Sequence, residues 1–265
     1  MNALLIDAGN SSLKWALYSD GHLAPQESIF YYSKKPIDIF KQLLDTNIKH
    51  CKKIVMVSVL GKEFNEESRH ISEKYALGYL NIQSTQQLLN ITNAYAEPHK
   101  LGADRLVAMV GAHHLINRKA EKKKACIIVD SGTATTIDAV DEHGHHLGGL
   151  ILPGSYLCSS SLLKNTQLLA KWNKDGAKIT PSLFATETTE AIASASIFGL
   201  AGAIDKICEK MGREITQSNK NIEIEIILCG GSSNQLLPYL ELNYQQQENL
   251  LMIGLSLILD KSGQH

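Results

Sequence analysis

The chain has 265 residues, 44% of them apolar and 20% charged, with a formal net charge of −1. That length can bury a sizeable core without covalent staples and predicts one large or two modest domains. The near-neutral balance gives no electrostatic footprint for nucleic acid or a membrane surface, and neither is expected as a partner.

A short apolar run over 3–7 ends in Asp7 and is followed by Gly9. A second β-prone run covers 13–18, and Asp20-Gly21 marks a tight turn before a third run over 23–32, which together predict an antiparallel meander. Pro36 opens a helix over 37–47 with Ile39, Leu43 and Leu44 on one face. A buried strand is expected over 54–59, a helix over 63–76, a loop over 93–101 and a helix over 103–117. The charged run 118–124, Arg-Lys-Ala-Glu-Lys-Lys-Lys, reads as a solvated helix end or linker rather than a DNA-binding patch. The domain boundary is placed there, dividing 1–118 from 119–265.

Strands over 125–130, 135–140 and 147–152 follow, separated by Ser131-Gly132-Thr133 and a turn over 142–144, and closed by Pro153-Gly154. A helical stretch and a polar loop over 173–181 come next. A strong helix is expected over 190–211, where Ala193, Ile197, Leu200, Ile204, Ile207 and Met211 form a stripe. Ala191, Ala195, Gly199 and Ala203 line another face that would admit a second helix. A strand over 224–228 runs into Cys229-Gly230-Gly231-Ser232, and a helix over 248–259 closes the chain.

The five cysteines, Cys51, Cys126, Cys158, Cys208 and Cys229, show no metal or redox spacing. Cys126 and Cys229 lie in apolar runs and are expected in the core, in a reducing compartment. The N-terminus lacks the pattern of a signal peptide, and no run approaches the roughly 18 apolar residues of a membrane span. A cytoplasmic location is expected.

The order strand, glycine turn, strand, turn, strand occurs twice. Leu5-Ile6-Asp7-Ala8-Gly9-Asn10-Ser11-Ser12 parallels Ile128-Val129-Asp130-Ser131-Gly132-Thr133-Ala134-Thr135. Glycine lets the backbone turn sharply and present N–H groups to a phosphate, hydroxyl and amide side chains add donors, and the aspartate can hold a cation. Lys14 adds a point charge. One such turn is an ordinary hairpin; two in matching strand contexts point to ATP. Gly230-Gly231-Ser232 is a third glycine turn with room for the adenosine part. No Walker string and no dinucleotide-binding glycine string occurs. Two β-rich halves with phosphate turns resemble the actin-like superfamily of ATPases and sugar kinases: an α/β fold of two ribonuclease H-like domains.

Gly102-Ala103-Asp104-Arg105 supplies a base and a positive charge at the mouth of a helix, as phosphoryl transfer needs; Asp104 is also a candidate helix N-cap. Tyr95, Pro98, Leu101, Gly102, Asp104 and Arg105 resemble the Tyr…Pro…Leu-Gly-x-Asp-Arg signature of type III pantothenate kinases. Asp7-x-Gly-Asn-Ser-x-x-Lys14, Asp130-x-Gly-Thr-Ala-Thr-Thr-x-Asp138 and Gly148-Gly149-Leu-Ile-Leu-Pro153-Gly154 resemble that family's further motifs in the same order. The resemblance implies ATP-dependent phosphorylation of pantothenate, the first step toward coenzyme A, by a homodimer using Mg2+ and a monovalent cation, K+ or NH4+. It implies that Asp7, Ala8, Gly9, Asn10, Ser11, Ser12, Leu13, Lys14 and Thr133 bind ATP, with Asp7 also near magnesium. It implies Asp104 as general base, Tyr95, Gly102, Ala103, Asp104, Arg105 and Thr188 as substrate residues, and Asp130 as the monovalent-cation ligand. Thr188 by itself is a helix-cap candidate. The chain departs from the family pattern at Ser11, Glu187, Ala195 and 166–170. A kinase for another small hydroxyl substrate and an ATP-binding accessory or regulatory protein are the competing readings.

Overall fold

The computed structural model describes residues 2–165 and 180–262. The departure at 166–170 and nearly all of the loop expected over 173–181 lie outside them. The chain forms two compact units, residues 1–123, 140–148 and 249–265 in one and 124–139 and 149–248 in the other. The chain thus passes between units beside the charged run, while the hairpin tip 140–148 and the last helix belong with the first unit rather than the second.

The first unit begins with β1 (Ala3–Ala8), β2 (Ser12–Ser19), β3 (His22–Leu23) and β4 (Glu27–Phe30), so the third expected run is two short strands. Next come α1 (Pro36–Asn47), β5 (Lys53–Ser58), α2 (Lys62–Lys74), β6 (Gly78–Ile82), β7 (Gln87–Leu88), β8 (Ile91–Thr92) and α3 (Ala103–Asn117). The main sheet runs β3-β2-β1-β5-β6, with β4 also on β2. β1 and β2 are antiparallel, whereas β1, β5 and β6 are parallel. β1 is buried at every position, as a parallel strand covered on both faces must be. Leu4 and Ile6 face α1 through Ile39, Phe40 and Leu44 in one apolar cluster.

In the second unit the chain forms β9 (Ala125–Ser131), β10 (Ala134–Val140), β11 (His146–Pro153), α4 (Ser155–Asn165), α5 (Thr188–Ser218), β12 (Ile224–Cys229), α6 (Ser233–Leu236) and β13 (Gln245–Gln246). The sheet order is β11-β10-β9-β12-β13. With β3 and β4, which both pair with β2, counted as one broken third strand, both sheets follow 3-2-1-4-5, with strand four parallel to strand one. The repeat seen in the turns is therefore a repeat of whole sheets.

α5 outruns its expected end at Met211. Gly212 reads as a stop, but Ile215 continues the stripe and is buried, so packing carries the helix through the glycine. α5 is also long and apolar enough to cross a membrane, a span not expected from the sequence. Ile197, Leu200 and Ile204 pack with Ile127 and Val129 of β9, so this is a core helix of the second unit. Cys126 and Cys229 are buried as expected, together with Cys51 and Cys208.

The last helix, α7 (Leu250–Ser262), packs on α3 and β1. Two glycines allow the helices to touch at the backbone. A Cβ on Gly111 would stand 2.5 Å from the Leu250 carbonyl oxygen, and one on Gly254 would stand 2.2 Å from that of Val107.

Candidate active site

In the first unit Asp7 ends the central strand and is buried, and its Oδ2 lies 3.8 Å from Lys14 Nζ. The strand register sets the pair, because Asp7 is the direct cross-strand partner of Lys14. Residues 9–11 make the turn, closed by the Gly9 N–H donating to the Ser12 carbonyl (3.1 Å). Asn10 and Ser11 are exposed at its tip, while Ala8 and Leu13 are buried partners in the sheet. Those two side chains face the core, so only their backbone is offered to a ligand.

Tyr31, unremarked in the sequence, stands behind this turn. Its N–H donates to the Ser11 carbonyl (3.1 Å), and its hydroxyl is buried without a hydrogen-bond partner among the described residues. Burial and then the charge of Asp7 push the Tyr31 phenol well up.

The substrate segment is built around Asn93, which is 2% exposed. Its Nδ2 donates to the carbonyls of Thr85 (3.2 Å) and Pro98 (3.1 Å), and its Oδ1 accepts the Tyr95 N–H (2.9 Å). Tyr95 in turn accepts a hydrogen bond at its hydroxyl from Arg105 Nη1 (3.1 Å), and the guanidinium carbon lies 5.8 Å from the ring centroid. Arg105 is buried, which fixes a charged fork in place.

Gly102 occupies the N-cap position of α3, so Asp104 is not the cap; it lies in the first helical turn. Its Oδ1 accepts the Arg105 N–H at 2.9 Å and folds back over Gly102, where a Cβ would meet that oxygen at 2.4 Å. The glycine thus leaves room for the carboxylate, and the positive helix end favours its negative charge. A cavity of about 710 Å3 opens beside Gly102 and Ala103, walled also by Ser58, Asn81 and Ser84.

In the second unit three glycine turns meet. β9 and β10 are joined by Gly132 and Thr133 alone, one residue fewer than the first turn. The Gly132 N–H donates to the Ala134 carbonyl (3.0 Å), and the Thr133 carbonyl accepts the Gly154 N–H (3.1 Å). A Cβ on Gly154 would stand 2.3 Å from the Gly132 oxygen. A Cβ on Gly230, at φ +93°, would stand 2.4 Å from Asp130 Oδ1 and 2.3 Å from the Ser131 oxygen. The Ser232 N–H donates to that Ser131 oxygen (2.9 Å). The Asp130 carboxylate and the Ser131 carbonyl thus fill the space that a side chain at 230 would need, and Thr133 is exposed at the tip of its turn. Thr188 is exposed as the first residue of α5; it is not the cap, since Glu187 holds that position without a side-chain cap bond.

Two sheets of one strand order, each with an aspartate at the end of its first strand and a glycine turn beyond, define the fold of the actin-like ATPases, with ribonuclease H-like domains. Solved structures of that fold agree. A conserved Baf family protein from Campylobacter jejuni superposes with a TM-score of 0.58 at 19% identity over 99% of this chain and 100% of that one. MreB5 of Spiroplasma citri bound to ADP superposes with a TM-score of 0.54 at 9% identity over 98% and 96%. The sequence model of the type III pantothenate kinase family matches residues 3–210. A type III pantothenate kinase of Herminiimonas arsenicoxydans is 32% identical over 257 residues, 95% of each chain, and one of Janthinobacterium sp. (strain Marseille) is 32% identical over 262 residues, again 95% of each. The chain belongs to the type III pantothenate kinase family, a family of enzymes.

Proposed function

We propose that the protein transfers the γ-phosphoryl group of ATP to the terminal hydroxyl of pantothenate, giving 4′-phosphopantothenate and ADP. The observation that carries this reading is the Asp104 carboxylate at the mouth of α3, beside an Arg105 that burial and Tyr95 hold in place. Asp104 takes the proton as the hydroxyl oxygen attacks the γ-phosphorus and the bond to the ADP oxygen breaks. Arg105 and Tyr95, with the backbone of Gly102 and Ala103, orient pantothenate, and Thr188 completes its contacts. Phosphoryl transfer demands mainly positioning and charge stabilisation, which buried Arg105 and the glycine turns supply.

Asp7, the backbone of 8–13 and Lys14 bind the phosphates, and Thr133 contacts the nucleotide. The described residues hold no cluster of three or more His, Cys, Asp or Glu side chains fit for a metal. A lone Asp7 suits Mg2+, which is commonly bound by one or two carboxylates plus substrate phosphates. Bound there, Mg2+ neutralises phosphate charge. The Asp130 carboxylate, which shares the space beside Gly230 with the Ser131 carbonyl oxygen, offers oxygen ligands suited to K+ or NH4+. The working form is a cytoplasmic homodimer.

A coupled assay with pantothenate, ATP and Mg2+, with and without K+, tests the reading. Asp104→Asn should lower kcat by about 10²- to 10⁴-fold with little change in the melting temperature. A variant that kept its turnover would remove Asp104 from the base role, and wild-type ADP release without pantothenate consumption would remove the substrate.

A further inference from the structure

The hairpin between β10 and β11 has no part in the scheme above, yet its tip belongs to the first unit, where it runs beside the substrate segment. Thr92 of β8 pairs with His145 in a parallel bridge, and the Thr92 N–H donates to the Gly144 carbonyl (2.9 Å). Gly144, at φ +91°, lies so close that a Cβ would stand 2.0 Å from the Asn90 carbonyl oxygen. His113 of α3 pins the same tip, its Nε2 lying 3.3 Å from the Glu142 carbonyl oxygen while Asn90 Nδ2 lies 2.5 Å from its Nδ1. Continuing that side-by-side course, His146 meets Tyr95. The two rings stack with centroids 6.0 Å apart and planes 14° from parallel, and His146 is 3% exposed.

We propose that His146 is a positioning residue for pantothenate: its buried ring is the flat support that sets the Tyr95 ring, and through Tyr95 the Arg105 guanidinium. Tyr95 is a partly exposed side chain on an irregular stretch, so nothing in local secondary structure sets its rotamer. Its N–H is held by Asn93 and its hydroxyl by Arg105, and the ring between them rests on His146. A stacked aromatic pair contributes enough to select one rotamer. Without it, Tyr95 and Arg105 must be ordered by the substrate itself, which weakens binding rather than the phosphoryl-transfer step. The inference rests on the assignment of Tyr95 and Arg105 to substrate binding.

Steady-state kinetics of His146→Ala, His146→Phe and Tyr95→Ala test it. His146→Ala should raise KM for pantothenate by roughly three- to tenfold with kcat and KM for ATP changed less than about twofold, and His146→Phe, which keeps a flat ring, should restore KM. An unchanged KM in His146→Ala, with Tyr95→Ala impaired, overturns the inference alone. An unchanged KM in Tyr95→Ala overturns the substrate assignment and the inference with it. Should His146→Ala fail to fold, His146→Gln against His146→Phe decides: impairment of Gln only supports the support role, and equal behaviour overturns it.

Discussion

Tyr31 shows how a single buried hydroxyl reports on the site around it. Most buried polar groups find a partner, and one left without costs about 1–3 kcal/mol. The Tyr31 ring is core, packed in the cluster of Leu13 and Phe40, while its hydroxyl has none among the described residues. Tyr31→Phe should therefore keep the ligand-free protein's stability or raise it by up to about 1 kcal/mol, read as an unchanged or higher melting temperature. A loss of stability would mean that the hydroxyl is satisfied in solution. Tyr31 was invisible in the sequence because its surroundings come from residues 7 and 11, across a turn, and nothing in its own neighbours marks it. Asp104 is the opposite case. The role proposed for it can be read from Gly102-Ala103-Asp104-Arg105, but which residue caps α3 depends on backbone angles, and there Gly102 takes the place offered to Asp104.

Among elements, the hairpin tip 140–148 is held by groups that titrate. Burial holds the His113 imidazole below its ordinary 6.5, with the nearby charge of Lys123 adding to the depression and the Glu142 hydrogen bond and Asp141 opposing it. The neutral ring fits its two contacts, donating from Nε2 to Glu142 and accepting at Nδ1 from Asn90. The unfolded chain takes up this proton near its ordinary value and the folded chain only at lower pH. His113 thus contributes stability that is complete above about pH 6.5 and lost as pH falls through the lower folded value. For Asp141, burial pushes the carboxyl up, but hydrogen bonds from His145 and His143 outweigh it and hold the group low, so its contribution is also lost on the acid side. Melting temperatures between about pH 7.5 and 5 should fall for wild type and fall less steeply for His113→Gln. Parallel slopes would remove His113 from this role. The boundaries of α1 and α3 were legible because α1 carries an apolar face behind Pro36 and α3 is a largely apolar run between Gly102 and the charged stretch at 118–124. The stretch holding β6, β7 and β8 was not. β6 is a half-polar edge strand, and β7 and β8 are two residues each around Leu89 at φ +52°. Such strands exist only because neighbours supply their hydrogen bonds.

At the scale of the molecule, the second unit exposes apolar side chains at Ile151, Tyr156, Leu162, Leu183 and Phe184, with Phe184 89% exposed. The small residues Ala191, Ala195 and Gly199 of α5 are exposed as well. Large exposed apolar groups of this kind mark association surfaces, and a second copy of the chain is the proposed occupant. Light scattering should give a mass near twice 29.1 kDa at micromolar concentration, and Phe184→Glu should shift the protein toward the monomer. A wild-type mass of 29.1 kDa would sink the homodimer.

The sequence by itself determined the elements that carry their own pattern, the duplicated aspartate turns and the family, because these depend on residues close together in the chain or on motifs in a set order. The sequence presents the two aspartate turns as a repeat, and only the family resemblance implies different roles for them. Tertiary structure decided how their surroundings differ: the first pairs Asp7 with Lys14, while the second draws in Gly154 and Gly230 from the ends of two other strands. It also decided that α7 packs with α3 in the first unit, and that the hairpin tip reaches Tyr95. Those facts come from backbone approaches and ring contacts between residues far apart in the chain, which no local pattern encodes.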